Sequence, residues 1–171
     1  MISDTHGNHQ LIELMLERAK DYDLTVHLGD NYEDTNLFFD AGLSVVRIPG
    51  TWGVQYSDPM IDNRRMEEWM GWRFFLTHTP EIDSHDLPED LDPYAIITNQ
   101  SCDVMCHGHT HEPNIRFSNN VLIMNPGHLK ADVDRGFSAS YAEIILNRKD
   151  CFIEIIDVDS GKTIKSHHLF R

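Results

Sequence analysis

The stretch Val104-Met105-Cys106-His107-Gly108-His109-Thr110-His111 sets three apolar residues directly before a run of alternating histidines. An apolar run this short, bounded by Gly and Thr, reads as a buried strand. Imidazoles at its exit fall where the loops of an α/β sheet gather. The same layout occurs three more times. Met1–Ser3 runs into Asp4-Thr5-His6-Gly7, Leu24–Leu28 into Gly29-Asp30, and Phe74–Thr77 into His78-Thr79-Pro80. Residues two apart on an extended backbone share a side, so Asp4 with His6 and His107 with His109 are each placed to chelate as pairs. Two carboxylates (Asp4, Asp30) and four histidines (His6, His78, His107, His109) converging in one crevice suit a pair of divalent transition metals.

Outward from these exits, Asn8 is placed to cap a helix through Leu11, Ile12, Leu14, Met15, Leu16 and Ala19, whose apolar positions follow a 3.6-residue period. Asp34 is placed to cap a shorter helix through Leu37–Phe39, which Gly42 ends before a strand at Ser44–Ile48. Strand, helix, strand, helix, strand implies a parallel sheet with crossovers. The pattern then changes. Met66–Met70 and Trp72–Thr77 flank Gly71 as a hairpin, and residues 80–93, with three prolines and several acids, read as an exposed loop. A short helix over Tyr94–Asn99 leads to the Asp103–Cys106 strand. The remainder is mostly β, at Ile115–Phe117, Val121–Met124, Ser138–Leu146, Cys151–Val158 and Lys162–Phe170. An α/β front half and a β-meander back half predict one α/β domain over residues 1–171, built of two packed sheets with helices outside. Only three residues precede Asp4, against about five or six in a usual strand, so the natural chain is expected to begin upstream of Met1.

Composition narrows the function. Net charge is −14, from 28 acids and 14 bases. That balance excludes the basic face a nucleic-acid backbone binder needs, and it argues against anionic membrane surfaces. No apolar run approaches a membrane span. Cations in the crevice would offset part of the acidity, so a small anionic substrate stays compatible. The three cysteines are odd in number and lack CxxC spacing, which fits a reducing cytoplasm with Cys106 and Cys151 as core hydrophobes. Pairing of the Lys162–Phe170 edge, or burial of exposed aromatics within 52–75, would make a homodimer.

Taken singly, Asp30 reads as an Asx-turn after a strand and His6 as a helix-entry residue. Taken together, D-T-H-G at 4–7, G-D at 29–30, T-H at 77–78, G-H-T-H at 108–111 with His107 before it, and N-P-G at 125–127 resemble the calcineurin-like metallophosphoesterases. The likeness is strongest to their small bacterial single-domain phosphodiesterase branch, and it covers nearly the whole chain in order. It implies a four-layer αββα sandwich of two mixed sheets packed face to face. It also implies a dinuclear centre, with manganese the leading metal and iron, nickel or zinc the others. Asp4, His6 and His109 would hold one ion, His78 and His107 the other, and Asp30 would bridge them. The implied activity is hydrolysis of a phosphodiester or phosphomonoester bond in a small substrate by ionised solvent, with Asp30, His78, His107 and His109 the catalytic ligands.

The chain departs from the pattern in places. Where the family carries Gly-Asn after the third strand, this sequence has Gly50-Thr51-Trp52-Gly53. A Thr hydroxyl has a shorter reach and is a weaker donor than an amide oxygen. Thr51 therefore binds the second ion directly or through a water, leaves a looser second site, or marks a loss of efficient catalysis. Trp52 stands where larger relatives carry a histidine that protonates the leaving group. His128 follows N-P-G where Ser is usual, and either touches a substrate phosphate or covers the loop. His111 reads as lying behind the ligands or facing the substrate. His9, His27, His85, His167 and His168 read as structural or exposed. The competing reading for the whole chain is a scaffold, or a metal- or nucleotide-binding module without turnover; the retromer scaffold subunit is a precedent on this fold.

Overall fold

In the computed structural model, which describes residues 1–171, the first half alternates helices α1 (His9–Ala19) and α2 (Asn36–Asp40) with strands β1 (Thr25–His27) and β2 (Val45–Arg47). Strands β3 (Arg64–Trp69) and β4 (Trp72–Thr77), helix α3 (Pro93–Thr98) and strand β5 (Val104–Cys106) follow. The chain ends in β6 (Asn114–Ser118), β7 (Val121–Asn125), β8 (Ser140–Leu146), β9 (Asp150–Asp157) and β10 (Thr163–Phe170). One sheet has the order β3-β4-β5-β7-β6, with β4, β5 and β7 parallel and both outer pairs antiparallel.

The other sheet is joined by three residues. The parallel pair β1–β2 and the antiparallel meander β8–β9–β10 are bridged by Met1–Ser3. On one side Ile2 N–H donates to the Val26 carbonyl at 2.8 Å and Leu28 N–H to the Ile2 carbonyl at 3.0 Å. On the other side Ala142 N–H donates to the Met1 carbonyl at 2.9 Å. The short apolar run is thus a central rung that delivers Asp4 beside Gly29, whose carbonyl accepts the Asp4 N–H at 2.9 Å.

Period-two alternation sorts the side chains into layers. Phe74, Leu76, Val104, Cys106, Leu122 and Met124 face Val26, Leu28, Ala142, Cys151, Ile153 and Ile155 in one core between the sheets. Their neighbours Phe75, Met105 and Ile123 point the other way, where Ile96 and Ile97 of α3 cover them. Ile12, Met15 and Ala19 of α1 and Phe38 of α2 cover the outer face of the second sheet, the one joined by Met1–Ser3, at Ile2, Tyr141 and Ile156. The layers are αββα. Each fully buried Phe, Leu or Ile contributes about 1.5–3 kcal/mol, so a one-residue slip that turned the set outward is strongly disfavoured. Cys106 and Cys151 lie in the central core, and all three cysteines are free and buried. No helix is long and apolar enough to cross a membrane.

One local expectation is corrected and another is borne out. Asn8 caps α1, its side chain accepting the Leu11 N–H at 3.4 Å, but Asp34 does not cap α2. A 3-10 turn, Tyr32–Thr35, intervenes, and the Asp34 carboxylate instead accepts from the Thr5 hydroxyl at 2.6 Å and the Gly7 N–H at 2.9 Å. It ties down the loop that carries Asp4 and His6. Residues 80–92 form the expected exposed, irregular loop, and it is firmly anchored. The buried Arg64 guanidinium donates to the Thr77 and Thr79 hydroxyls, to the Glu81 and Leu91 carbonyls, and to the Asp86 carboxylate at 2.7 Å. One side chain pins both ends of the loop and its middle.

Candidate metal centre

Strands β1, β4 and β5 and the Met1–Ser3 rung all end at the same edge, and the loops leaving them carry the acids and imidazoles. Asp4, His6, Asp30 and His111 each present a ligand atom within 4.8 Å of the others. His111 Nε2 lies 3.1 Å from Asp4 Oδ1 and 3.2 Å from His6 Nε2, and His6 Nε2 lies 3.5 Å from Asp30 Oδ2. On the far side of Asp30, His78 Nε2 is 3.3 Å from Oδ1, and the His109 ring meets the His78 ring edge-on with centroids 5.2 Å apart. Asp30 therefore turns one oxygen to each group.

The chain reaches this arrangement by leaving the extended conformation. Asp4, His6, Asp30, His109 and His111 have φ between 47° and 64°, in the left-handed region. Non-glycine residues rarely sit there, and they gather at functional sites when they do. This corrects the strand-alternation expectation for 107–111. Strand β5 stops at Cys106, so side chains beyond it do not alternate across a sheet. His107 does not join the group. Its Nδ1 lies 2.9 Å from the Gly108 carbonyl, and its ring lines a separate polar pocket of about 150 Å³ with Thr110, Glu112, Asn114 and Arg116. His111 stands beside Asp4 and His6 where His109 was expected, and His109 stands beside His78 where His107 was expected. Two glycines make the approach possible. A Cβ on Gly108 would lie 1.9 Å from Ser3 Oγ and 2.6 Å from Asp4 Oδ2, and one on Gly50 would lie 1.9 Å from Asp30 Oδ1.

Surrounding groups fix each side chain. Asp4 accepts from the Ser3 hydroxyl at 2.5 Å and from the His109 N–H at 3.0 Å. His78 Nδ1 donates to the Leu28 carbonyl at 2.7 Å, which aims Nε2 at Asp30. That Nε2 is buried and makes no hydrogen bond. His111 Nδ1 is held by the Asp134 carboxylate, which also takes the Lys130 ammonium at 2.9 Å. The sequence carried no signal for Asp134, an acid on an irregular loop with no motif around it. His128 covers the loop and is closed to phosphate: Lys130 N–H donates to Nδ1 and Nε2–H donates to the Phe137 carbonyl, both at 3.1 Å. Thr51 is buried and directly follows Gly50, whose Cα packs against Asp30.

Charge states divide the ligand set: burial opposes charge on His78, yet Asp30 and Asp4 outweigh it and raise that group. Burial holds His6 and His109 below the ordinary histidine value, which favours the neutral imidazole. Burial opposes ionisation of Asp30, but His78, His6 and His109 outweigh it and bring the carboxyl down to about 2. Burial also opposes charge on His111, yet Asp4 and Asp134 outweigh it and raise that group. An anionic oxygen set among imidazoles, with one buried nitrogen lacking any partner, fits a borderline divalent cation. A cavity of about 550 Å³ elsewhere in the molecule is not the site. It opens at the other ends of the strands, and 14 of its 19 lining residues are hydrophobic.

Burial pushes both His27 and His107 down to about 4, from an ordinary 6.5. Between those values the unfolded chain binds protons that the folded chain refuses, so acid favours unfolding. Stability of the metal-free protein is expected to fall as pH drops from 6.5 to 4, by an amount on the order of a few kcal/mol. Urea midpoints across that range check it. His27→Gln should flatten the slope, and an unchanged slope would contradict the assignment.

Comparison with known proteins agrees with this geometry. The model of the calcineurin-like phosphoesterase superfamily domain matches residues 1–146. The chain belongs to that superfamily. A probable metallophosphoesterase of Mycoplasma pneumoniae is 27% identical over 135 residues, covering 76% of this chain and 77% of the relative. Among solved structures, the calcineurin-like fold is shared with YfcE, a phosphoesterase from E. coli, at a TM-score of 0.67 and 20% identity, covering 97% and 96% of the two chains. It is also shared with Vacuolar Protein Sorting 29 from Cryptosporidium parvum, at a TM-score of 0.73 and 17% identity, covering 99% and 96%. Membership in the calcineurin-like phosphoesterases implies a divalent metal, and the ligand geometry above fits one.

Proposed function

We propose that this protein hydrolyses a phosphodiester bond in a small anionic substrate, using two divalent cations. Asp4, His6 and His111 hold one ion, His78 and His109 hold the other, and Asp30 is shared. The observation that carries this reading is the placement of the two Asp30 oxygens, 3.5 Å from His6 and 3.3 Å from His78. Divalent cations in such a site supply Lewis-acid charge to phosphoryl oxygens and lower the pKa of solvent toward neutrality. The protein supplies imidazoles, a fixed carboxylate pair and a buried shell that holds them. The cationic side chains of the adjoining 128–137 loop are already engaged: Lys130 by Asp134, and Arg135 by the Thr110 carbonyl at 3.1 Å. Neither is free to match the second charge of a monoester, which favours the singly charged diester. Manganese is the leading ion and the cytoplasm the setting.

Metal analysis after gentle purification, with hydrolysis of bis-p-nitrophenyl phosphate and p-nitrophenyl phosphate with and without Mn²⁺, tests the proposal. Two equivalents of metal and faster turnover of the diester are expected. Fully loaded protein that hydrolyses neither compound sinks the reading and leaves the scaffold alternative, for which Vacuolar Protein Sorting 29 supplies only the fold. Thr51 gives a further prediction. Thr51→Asn should tighten the second ion about tenfold and raise turnover, because an amide oxygen reaches farther and donates better. Unchanged metal content and rate would mean that Thr51 already suffices.

A further inference from the structure

Trp52 is 80% exposed at the rim of this crevice, an unusual position for a large apolar ring. It lies two residues beyond Gly50, whose Cα packs against Asp30. The indole is exposed yet braced. The His85 ring stands against it with centroids 5.2 Å apart and a 55° tilt. Asp83 fixes that imidazole, its Oδ1 lying 2.7 Å from His85 Nδ1 and accepting the His85 N–H at 2.9 Å. Asp83 N–H in turn donates to Asp86 at 2.9 Å, and Asp86 is held by Arg64 and by the Tyr56 hydroxyl at 2.6 Å. An unbroken series of contacts therefore runs from a buried guanidinium to an exposed indole. Long irregular loops in compact domains are commonly functional, and this one is built to hold a ring still.

We propose that Trp52, braced by His85, is a subsite that stacks a planar aromatic group of the phosphoester, either a nucleobase or an aryl ring. The crevice beside it takes the phosphate, so the inference rests on the metal-centre reading for that half of the ligand. A rigid exposed indole loses little conformational freedom when a ring stacks on it, and stacking tolerates any π-face. The stated role for Trp52 is recognition, with no proton or bond transferred through it.

Titration calorimetry on the Mn²⁺-loaded full chain tests this without turnover. Adenosine monophosphate and ribose 5-phosphate share the phosphate and differ in the base, and phenyl phosphate against methyl phosphate does the same for an aryl ring. Wild type should bind each ring-bearing compound about tenfold more tightly than its ring-free partner. Trp52→Ala should abolish the preference and His85→Ala should narrow it, with metal content checking that each variant is intact. A preference in only one pair identifies the ring the subsite takes. Equal binding within both pairs in wild type, or a preference that survives Trp52→Ala, overturns the proposal. Protein that keeps the ring preference but hydrolyses no diester would retain the subsite while the hydrolase reading falls.

Discussion

Asp30→Asn is expected to strip metal from both positions and to lower turnover by more than about 100-fold, since even residues that merely support ligands cost 10–100-fold when changed. The substitution keeps the shape and removes the one charge that faces both imidazole groups. Oδ2 addresses His6 and Oδ1 addresses His78, so an amide in its place offers one oxygen to one side and an NH₂ donor to the other. Nor can the new side chain back away, because Gly50 packs against it closely enough that a Cβ there would collide. Metal stoichiometry by elemental analysis, alongside kcat/KM with bis-p-nitrophenyl phosphate, reads both halves of the prediction. Retention of one full equivalent would contradict a shared carboxylate.

The second expected result separates the histidines of the H-G-H-T-H run. His111→Ala should lose metal and more than about 100-fold in activity, whereas His107→Ala should keep its metal and stay within about threefold. His111 reaches Asp4 and His6 within 3.2 Å, while His107 faces the pocket around Arg116. Asp134→Asn should fall between them, near tenfold, because it orients His111 without joining the group. Metal content and kcat/KM for the three variants decide it. The reverse order for His107 and His111 would restore the simple alternation of an extended strand.

Much of the fold was legible because burial leaves a periodic record. The continuous apolar runs at Phe74–Leu76, Val104–Cys106 and Val121–Met124 mark strands covered on both faces, and the 3.6-residue spacing of α1 fixes its buried stripe. The hairpin at Gly71 was legible for a local reason. Met70 and Gly71 form a two-residue turn with φ of 54° and 87°, and Trp69 and Trp72 close it. Asp34 was misjudged, and the anchoring of loop 80–92 was not legible, because their partners, Thr5, Gly7 and Arg64, are distant in sequence. A capping residue and a residue that ties two loops together look alike until both loops are placed.

The chain's own order of residues determined the family, the layering and the identity of the acids and imidazoles at the strand exits. Those depend on side-chain type and on local periodicity, both of which survive in one dimension. Only the tertiary structure decided which imidazoles share a carboxylate, that Asp134 steadies His111, and that Arg64 carries a rigid loop to Trp52. The reason is conformational. Beyond the Met1–Ser3 rung, β1 and β5 the backbone turns left-handed, and there the spacing of residues along the chain no longer tells where their side chains point.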